Sequence, residues 1–401
     1  MQTKFVVLLC DGMADLPVKE LGYKTPMQAA HKPNMDNLAQ NAVLGMCKTV
    51  ADGLKPGSDV ANLAVLGYDP KKYYTGRSPL EALSIGVPMK DTDVAIRCNI
   101  VTVSDEKTEY KDKKMIDHSA GEISTEDADV LIQAVQEAFG NEMFHFYTGT
   151  SYRHLLIWDK GSVVELTPPH DILTKTIGNY LPKEKLLADM MEKSYEILNN
   201  HPINIAREKA GLHKANSLWF WGAGTKPALD NFTEKTGKRG VMISAVDLLK
   251  GIGVGAGLKN IIVEGADGTL ETNYEGKAQA AVDALTKDGY DFAYIHVEAP
   301  DEMGHQGSVE RKIKSIEYLD QRVIRIVKEG MDASGEEYRM LVLPDHPTPI
   351  VLRTHTSDPV PYMLFDSTNH GSRMWHYNER EAAASGIDMP SGAALMEYFL
   401  D

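Results

Sequence analysis

The chain has 401 residues, 43% hydrophobic and 25% charged, a soluble globular balance and too long for one ordinary core, so two domains are expected. The formal net charge of −15 argues against a polyanion such as nucleic acid as the main partner. It leaves room for a small anion, because a bound divalent metal is a local positive site on an acidic protein.

The first apolar run, FVVLLC (5–10), is stopped at once by Asp11. It is too short for a signal or a membrane span and reads as a β-strand, so no membrane partner is expected. Cys10, Cys47 and Cys98 are far apart and form no CxxC pair; they read as small buried residues of a cytoplasmic protein.

Next comes KPGSDVANLAVLGYDP (55–70). Ser58 falls where a helix N-cap belongs, ahead of Val60, Leu63, Ala64 and Leu66 at helical spacing. The plainer reading makes Ser58 a cap and Asp59 a helix-dipole partner. Beside metal ions the same serine becomes a nucleophile, because coordination lowers its hydroxyl pKa and helix N–H groups stabilise a phosphate. GxSxG is absent, so a serine-hydrolase elbow is not supported.

Residues 89–237 carry their own strands (VAIRCNIVTV, MFHFYT, HLLIW, SLWFW) and helices (STEDADVLIQAVQEAF, EKLLADMMEKSYEILNN). Polar, turn-rich stretches near 87–93 and 233–240 bound them. The expected organisation is a discontinuous domain of residues 1–88 and 238–401, with 89–237 inserted as a smaller α/β (α+β) domain.

Beyond the insertion, GIGVGAG (251–257) lacks GK[ST] and reads as a helix end. NIIVE (260–264), FAYIHV (292–297), MLVLP (340–344) and YMLF (362–365) read as strands buried on both faces. Helices are expected over 277–289 and 308–330, the second stopping at Gly330. This alternation gives an α/β fold, a mostly parallel sheet with helices on both faces.

In such sheets ligands gather beyond the carboxyl ends of the strands. The first strand ends in Asp11, FAYIHV leads to Asp301 and His305, and MLVLP leads to Asp345 and His346; His355 follows on the next loop. Carboxylate oxygen with imidazole nitrogen suits Mn²⁺, Zn²⁺, Fe²⁺ or Co²⁺ better than Ca²⁺. These are more ligands than one ion takes, and a pair of ions would clamp the attacking and leaving oxygens of a phosphoryl transfer.

The set CDG (10–12), GSD (57–59), EAPDEMGHQG (298–307), LPDHPTP (343–349) and RTHTSDPVP (353–361) resembles the alkaline phosphatase superfamily. Within it the chain is most similar to the cofactor-independent phosphoglycerate mutases of the shorter, archaeal-type branch, which GYDPKKYYTGRSPLEA (67–82) and YRHLLIW (152–158) also resemble. The resemblance implies an alkaline-phosphatase-like fold with two divalent ions. One is held by Asp301, His305 and His355, and the other by Asp11, Ser58, Asp345 and His346. Manganese is the expected metal, with zinc, cobalt or magnesium as alternatives, and no 2,3-bisphosphoglycerate is required. Ser58 would form a phosphoserine while 3-phosphoglycerate and 2-phosphoglycerate interconvert. The insertion is expected to bind this small phosphorylated substrate and keep water out.

Candidates for substrate binding are His118, Arg153, His154 and Asn216 in the insertion, and Arg77 on the metal-domain side. Their plainer readings are a polar loop residue, a surface ion pair, a core-edge histidine and a turn residue for the first four. The longer branch uses several insertion arginines, whereas this insertion offers only Arg97, Arg153, Arg207 and, at its edge, Arg239. A homoserine-kinase-like phosphotransferase, a phosphomonoesterase and an inactive metal-binding protein are therefore the alternatives; the intact ligand set argues against the last. His31, His145, His170, His201, His213, His370 and His376 follow no ligand spacing.

Overall fold

The computed structural model describes residues 2–369, 371 and 373–401; His370 lies outside them. In chain order the strands are β1 (Lys4–Cys10), β2 (Ala42–Cys47), β3 (Asp93–Val103), β4 (Met115–Asp117), β5 (Phe144–Thr150), β6 (Arg153–Asp159), β7 (Ser217–Thr225), β8 (Gly240–Ile243), β9 (Lys259–Asn260), β10 (Phe292–Val297), β11 (Tyr338–Leu343), β12 (Val360–Asp366) and β13 (Asp388–Met389). They divide between two compact units, residues 1–74 with 228–401 and residues 75–227.

Every residue of β1 is buried, so the strand needs neighbours on both edges and cover on both faces. It lies inside an eight-stranded sheet of order β13-β2-β12-β11-β1-β10-β8-β9. β11, β1, β10, β8 and β9 run parallel, and β12 is antiparallel to β11 and to β2. Alternation along β1 sends Val6, Leu8 and Cys10 into a core shared with Tyr274, Ile316 and Leu319 of the helices Tyr274–Thr286 and Val309–Leu319. Phe5 points the other way and meets Phe399 of the helix Gly392–Leu400 edge-on at 5.4 Å. Helices thus lie on both faces, as the sequence pattern implies.

The second unit is α+β. Its central strand β3 pairs antiparallel with β4, β6 and β7, and β5 pairs with β6. Val94, Ile96, Cys98 and Ile100 pack with Leu131, Ile132, Leu187 and Met191 of the helices Thr125–Phe139 and Lys185–Leu198. Ala95 faces oppositely, with Ala82 of the helix Arg77–Ser84. Among the described residues no helix is long and apolar enough to cross a membrane.

Several boundaries differ from the sequence reading. The division falls at 74/75 and 227/228 rather than 88/89 and 237/238. Ala82, Val87 and Met89 pack with Ala95, Leu155 and Ile157 of the insertion, and Phe232 stacks on Phe292 of β10 at 4.6 Å. Arg77 therefore belongs to the insertion unit, not the metal-domain side. Of NIIVE only Asn260 enters the sheet edge, beside Lys259 in β9, and Ile262 is largely exposed. The helix expected to stop at Gly330 passes through a π-helical stretch, Asp320–Ile324, and ends at Gly335 (φ +72°). At the π-helical stretch the Asp320 carboxylate accepts from the Met35 N–H at 2.7 Å and the Asn34 side chain at 2.8 Å.

Candidate active site

β10, β1 and β11 are parallel neighbours, with Leu9 opposite both His296 and Leu343, so their carboxyl ends are level. Asp11 follows β1 directly and is pinned by its N–H to Val297 O at 3.0 Å. Gly12 turns the chain away at φ +63°, and its N–H donates to Asp345 Oδ1 at 3.0 Å. Asp301 and His305 lie four apart on the helix Ala299–His305 that follows β10, hence on one face. Asp345 and His346, just past β11, are fully buried.

These residues converge in two overlapping groups. Asp11, Asp345 and His346 can bring one ligand atom each within 4.8 Å of one another, and so can Asp301, His346 and His355. His305 Nε2 stands 3.0 Å from His355 Nε2 and 3.2 Å from Asp301 Oδ2, and His355 Nε2 lies 3.2 Å from Asp301 Oδ1. His346 joins the groups: its ring lies 3.9 Å from that of His355, and its Nε2 3.5 Å from Asp11 Oδ1 and 3.4 Å from Asp345 Oδ2.

The electrostatics suit a cation. Burial, then the charges of Asp345 and Asp301, push the Asp11 carboxyl well above its ordinary range. Burial also opposes ionisation of Asp301, but hydrogen bonds from His305 and His355 outweigh it and hold that carboxyl well below its usual value. The bond to Asp301 raises His305 to about 9. Three crowded carboxylates and three imidazoles form a donor set that a borderline divalent ion would relieve of its mutual repulsion. The residues fit such an ion.

Ser58 is not the N-cap. Gly57 takes that position without a side-chain cap, and Ser58 opens the helix Ser58–Val65. Its Oγ instead lies 3.2 Å from Asp11 Oδ2 and 3.2 Å from His346 Nε2. Several supporting residues escape motif reading. Asn62 donates to Ser58 O at 2.8 Å and Asp345 Oδ2 at 3.0 Å, and accepts from the Tyr294 hydroxyl at 2.7 Å. Thr348 donates to Asp301 Oδ1 at 2.5 Å, and the Thr49 hydroxyl bonds Asp345 O. His296 Nε2 is 2.8 Å from Asp11 Oδ2. Their available signal was polarity inside apolar runs, as in VANLAV and FAYIHV.

In the insertion unit the five substrate candidates separate. Arg153 and His154 are adjacent in β6, so they face opposite sides of the sheet. His154 is buried, accepts from the Gly149 N–H at 3.1 Å, and is lowered to about 3 by burial and by Arg97. Asn216 is also buried, its amide spent on Val103 N, Val103 O and Asn199 at 2.9–3.1 Å. Neither is brought to the others. Arg77, His118 and Arg153 lie along one arc, where Arg77 and Arg97 share Glu81. Arg97 lies over Trp221 at 5.4 Å and His170 meets Trp221 edge-on at 5.4 Å. His118 is 6.2 Å from His170 and 5.8 Å from Tyr152, over which Arg153 lies at 5.3 Å. Arg97, His170 and Trp221 were not singled out for this role from the sequence. Arg207 is structural, donating to His213 O and Ala120 O.

A profile of the 2,3-bisphosphoglycerate-independent phosphoglycerate mutase family matches residues 39–204. A "Probable 2,3-bisphosphoglycerate-independent phosphoglycerate mutase" of Geobacter sulfurreducens is 48% identical over 99% of this chain and 100% of its own. The chain belongs to that family. A 2,3-bisphosphoglycerate-independent phosphoglycerate mutase of Methanosarcina barkeri is 47% identical over 96% of this chain and 95% of its own. Among solved structures, PH0037 of Pyrococcus horikoshii covers 100% of this chain and 97% of its own, at TM-score 0.82 and 29% identity. The cofactor-independent phosphoglycerate mutase of Thermoplasma acidophilum shares the fold, at TM-score 0.67 and 24% identity, over 100% of this chain and 99% of its own. Within this phosphoglycerate mutase family member, all seven expected ligands fall in one unit and the arginine-bearing arc in the other.

Proposed function

We propose that the chain interconverts 3-phosphoglycerate and 2-phosphoglycerate through a phosphoserine at Ser58. The observation that carries this is the Ser58 hydroxyl, unspent on capping and 3.2 Å from both Asp11 Oδ2 and His346 Nε2. The names of relatives matched over nearly their full length support the substrate. Asp11, Ser58, Asp345 and His346 would hold one divalent ion and Asp301, His305 and His355 a second, manganese being favoured. When bound, the ions neutralise phosphate charge and lower the pKa of the serine hydroxyl.

The chain's own groups do the rest. Asp11 and His346 fix Ser58 Oγ, and the first-turn N–H groups of the helix Ser58–Val65 offer donors to a phosphate. The P–O bond to one glycerate oxygen breaks as P–Oγ forms, and that oxygen takes up the proton the serine gives up; the reverse transfer goes to the other hydroxyl, whose proton returns to Ser58. Arg77, Arg97 and Arg153 outnumber Glu81 in charge along the insertion arc, with His118 and His170 beside them. They are proposed to hold the glycerate carboxylate between the two transfers, so that water does not take the phosphoryl group. No bisphosphoglycerate participates. Three buried, unbonded cysteines support the cytoplasm as the compartment.

The test is a coupled assay of manganese-loaded protein without added 2,3-bisphosphoglycerate. Formation of 2-phosphoglycerate is expected. Inorganic phosphate as sole product would convert the reading to a phosphomonoesterase, and turnover only of homoserine with a phosphoryl donor to a kinase-like enzyme.

A further inference from the structure

His296 sits near the end of β10 with no exposure, in a run otherwise apolar. A fully buried imidazole is costly unless both nitrogens are used. Here both are. Nε2 lies 2.8 Å from Asp11 Oδ2, and Nδ1 lies 3.0 Å from Ser244 Oγ, just beyond β8.

One tautomer uses every donor and acceptor in this run of contacts. The Val246 backbone N–H, which only donates, gives its proton to Ser244 Oγ at 3.0 Å. The Ser244 hydroxyl proton then needs an acceptor, and among its hydrogen-bond partners that acceptor is His296 Nδ1. The imidazole proton is thereby placed on Nε2 and donated to Asp11 Oδ2. Lys277 Nζ, donating to His296 O at 3.0 Å, ties down the backbone of the same residue.

We propose that Ser244 and His296 are positioning residues that orient the Asp11 carboxylate as a ligand, engaging its Oδ2 while Oδ1 faces His346. The inference rests on the metal-centre reading given above. The opposite tautomer would set the Nε2 lone pair against Asp11 Oδ2 and leave the Ser244 hydroxyl proton without an acceptor among its partners. Nothing in the motif set points to Ser244, which lies in the turn after β8, yet through His296 it reaches a residue at the end of β1. Outer contacts of this kind govern metal affinity in proportion to how firmly they hold the inner donor.

Manganese titration calorimetry on His296→Asn, His296→Gln and Ser244→Ala tests this, with the melting temperature of each metal-free protein recorded alongside. Asn retains a group near Nδ1 but does not reach Asp11, and its manganese affinity should fall about 10–100-fold. Gln carries its amide nitrogen close to the Nε2 position and should recover most of the loss, which a purely space-filling role for His296 would not produce. Ser244→Ala, a small change in the turn, should weaken binding several-fold and decides the matter if the His296 variants do not fold. Wild-type affinity in His296→Asn or in Ser244→Ala, or no advantage of Gln over Asn, overturns the relay alone. Manganese bound by neither wild type nor variants overturns the metal centre itself, and the relay with it.

Discussion

At the scale of single residues, the proposed mechanism turns on Ser58 Oγ. It makes no capping bond, and its neighbours are a carboxylate and an imidazole of the proposed ligand set. Ser58→Ala should therefore leave the fold and the three carboxylates and three imidazoles in place. Turnover should fall by roughly 10⁴–10⁶-fold, and phosphoserine should vanish from mass spectra of the quenched enzyme. Undiminished turnover would remove Ser58 from the chemistry. Asp11, Asp301, Asp345 and His346 were legible because each is a polar group placed just after an apolar run, where a parallel sheet presents its ligands. Arg153 and His154 were not separable in the same way. Both are polar and adjacent, and only knowledge of which β6 face carries the helices tells that His154 points into the core. Asn216 was misleading for a related reason: a polar residue before a strand serves equally well as an internal clasp, here on Val103 and Asn199.

At the scale of elements, the turn after β1 carries the tightest constraint. Gly12 has φ +63°, and a β-carbon there would fall 2.5 Å from Thr348 Oγ1 and 2.7 Å from Asp301 Cα. The residue is thus wedged between the helix that follows β10 and the loop that follows β11. Gly12→Ala combines left-handed strain with overpacking and should cost about 2–5 kcal/mol in urea denaturation, together with weaker manganese binding. Gly335→Ala is the control. It has a similar φ of +72° but nothing within 4 Å of the new carbon, so it should cost only about 1–2 kcal/mol and leave metal affinity alone. Equal losses in the two variants would refute the steric account. Elements were readable where apolar periodicity was long, as in β1, β10 and β3. They were missed where it was short or interrupted: β8 has four residues, and β2 contains Gly45, which lies under the Tyr362 ring. Gly330 looked like a helix stop, but its missing side chain instead makes room for Val282.

At the scale of the whole molecule, the proposed function gives the two units the two tasks that separate a mutase from a phosphatase. The insertion is one continuous segment, 75–227, with its own core around Ile96, Leu131, Leu156 and Phe220. Its two ends meet, since the Thr75 hydroxyl donates to Thr225 O at 2.7 Å. A short Gly/Ser linker joining Tyr74 to Ala228 should therefore close the remaining unit without disturbing its sheet, whose strands all lie outside the deleted segment. Asp11, Ser58, Asp301, His305, Asp345, His346 and His355 all survive this deletion. The arc of Arg77, Arg97, Arg153, His118 and His170 does not. The deleted protein should bind manganese with near wild-type stoichiometry and still form a phosphoserine from a simple aryl phosphate. With nothing to retain the glycerate, it should release inorganic phosphate from 3-phosphoglycerate and yield at least about 100-fold less 2-phosphoglycerate, a loss of some 3 kcal/mol of positioning. A folded deletion that still interconverts the two phosphoglycerates would show that retention resides in the metal-binding unit. One that folds but binds no manganese would show that the ligand set is not self-sufficient.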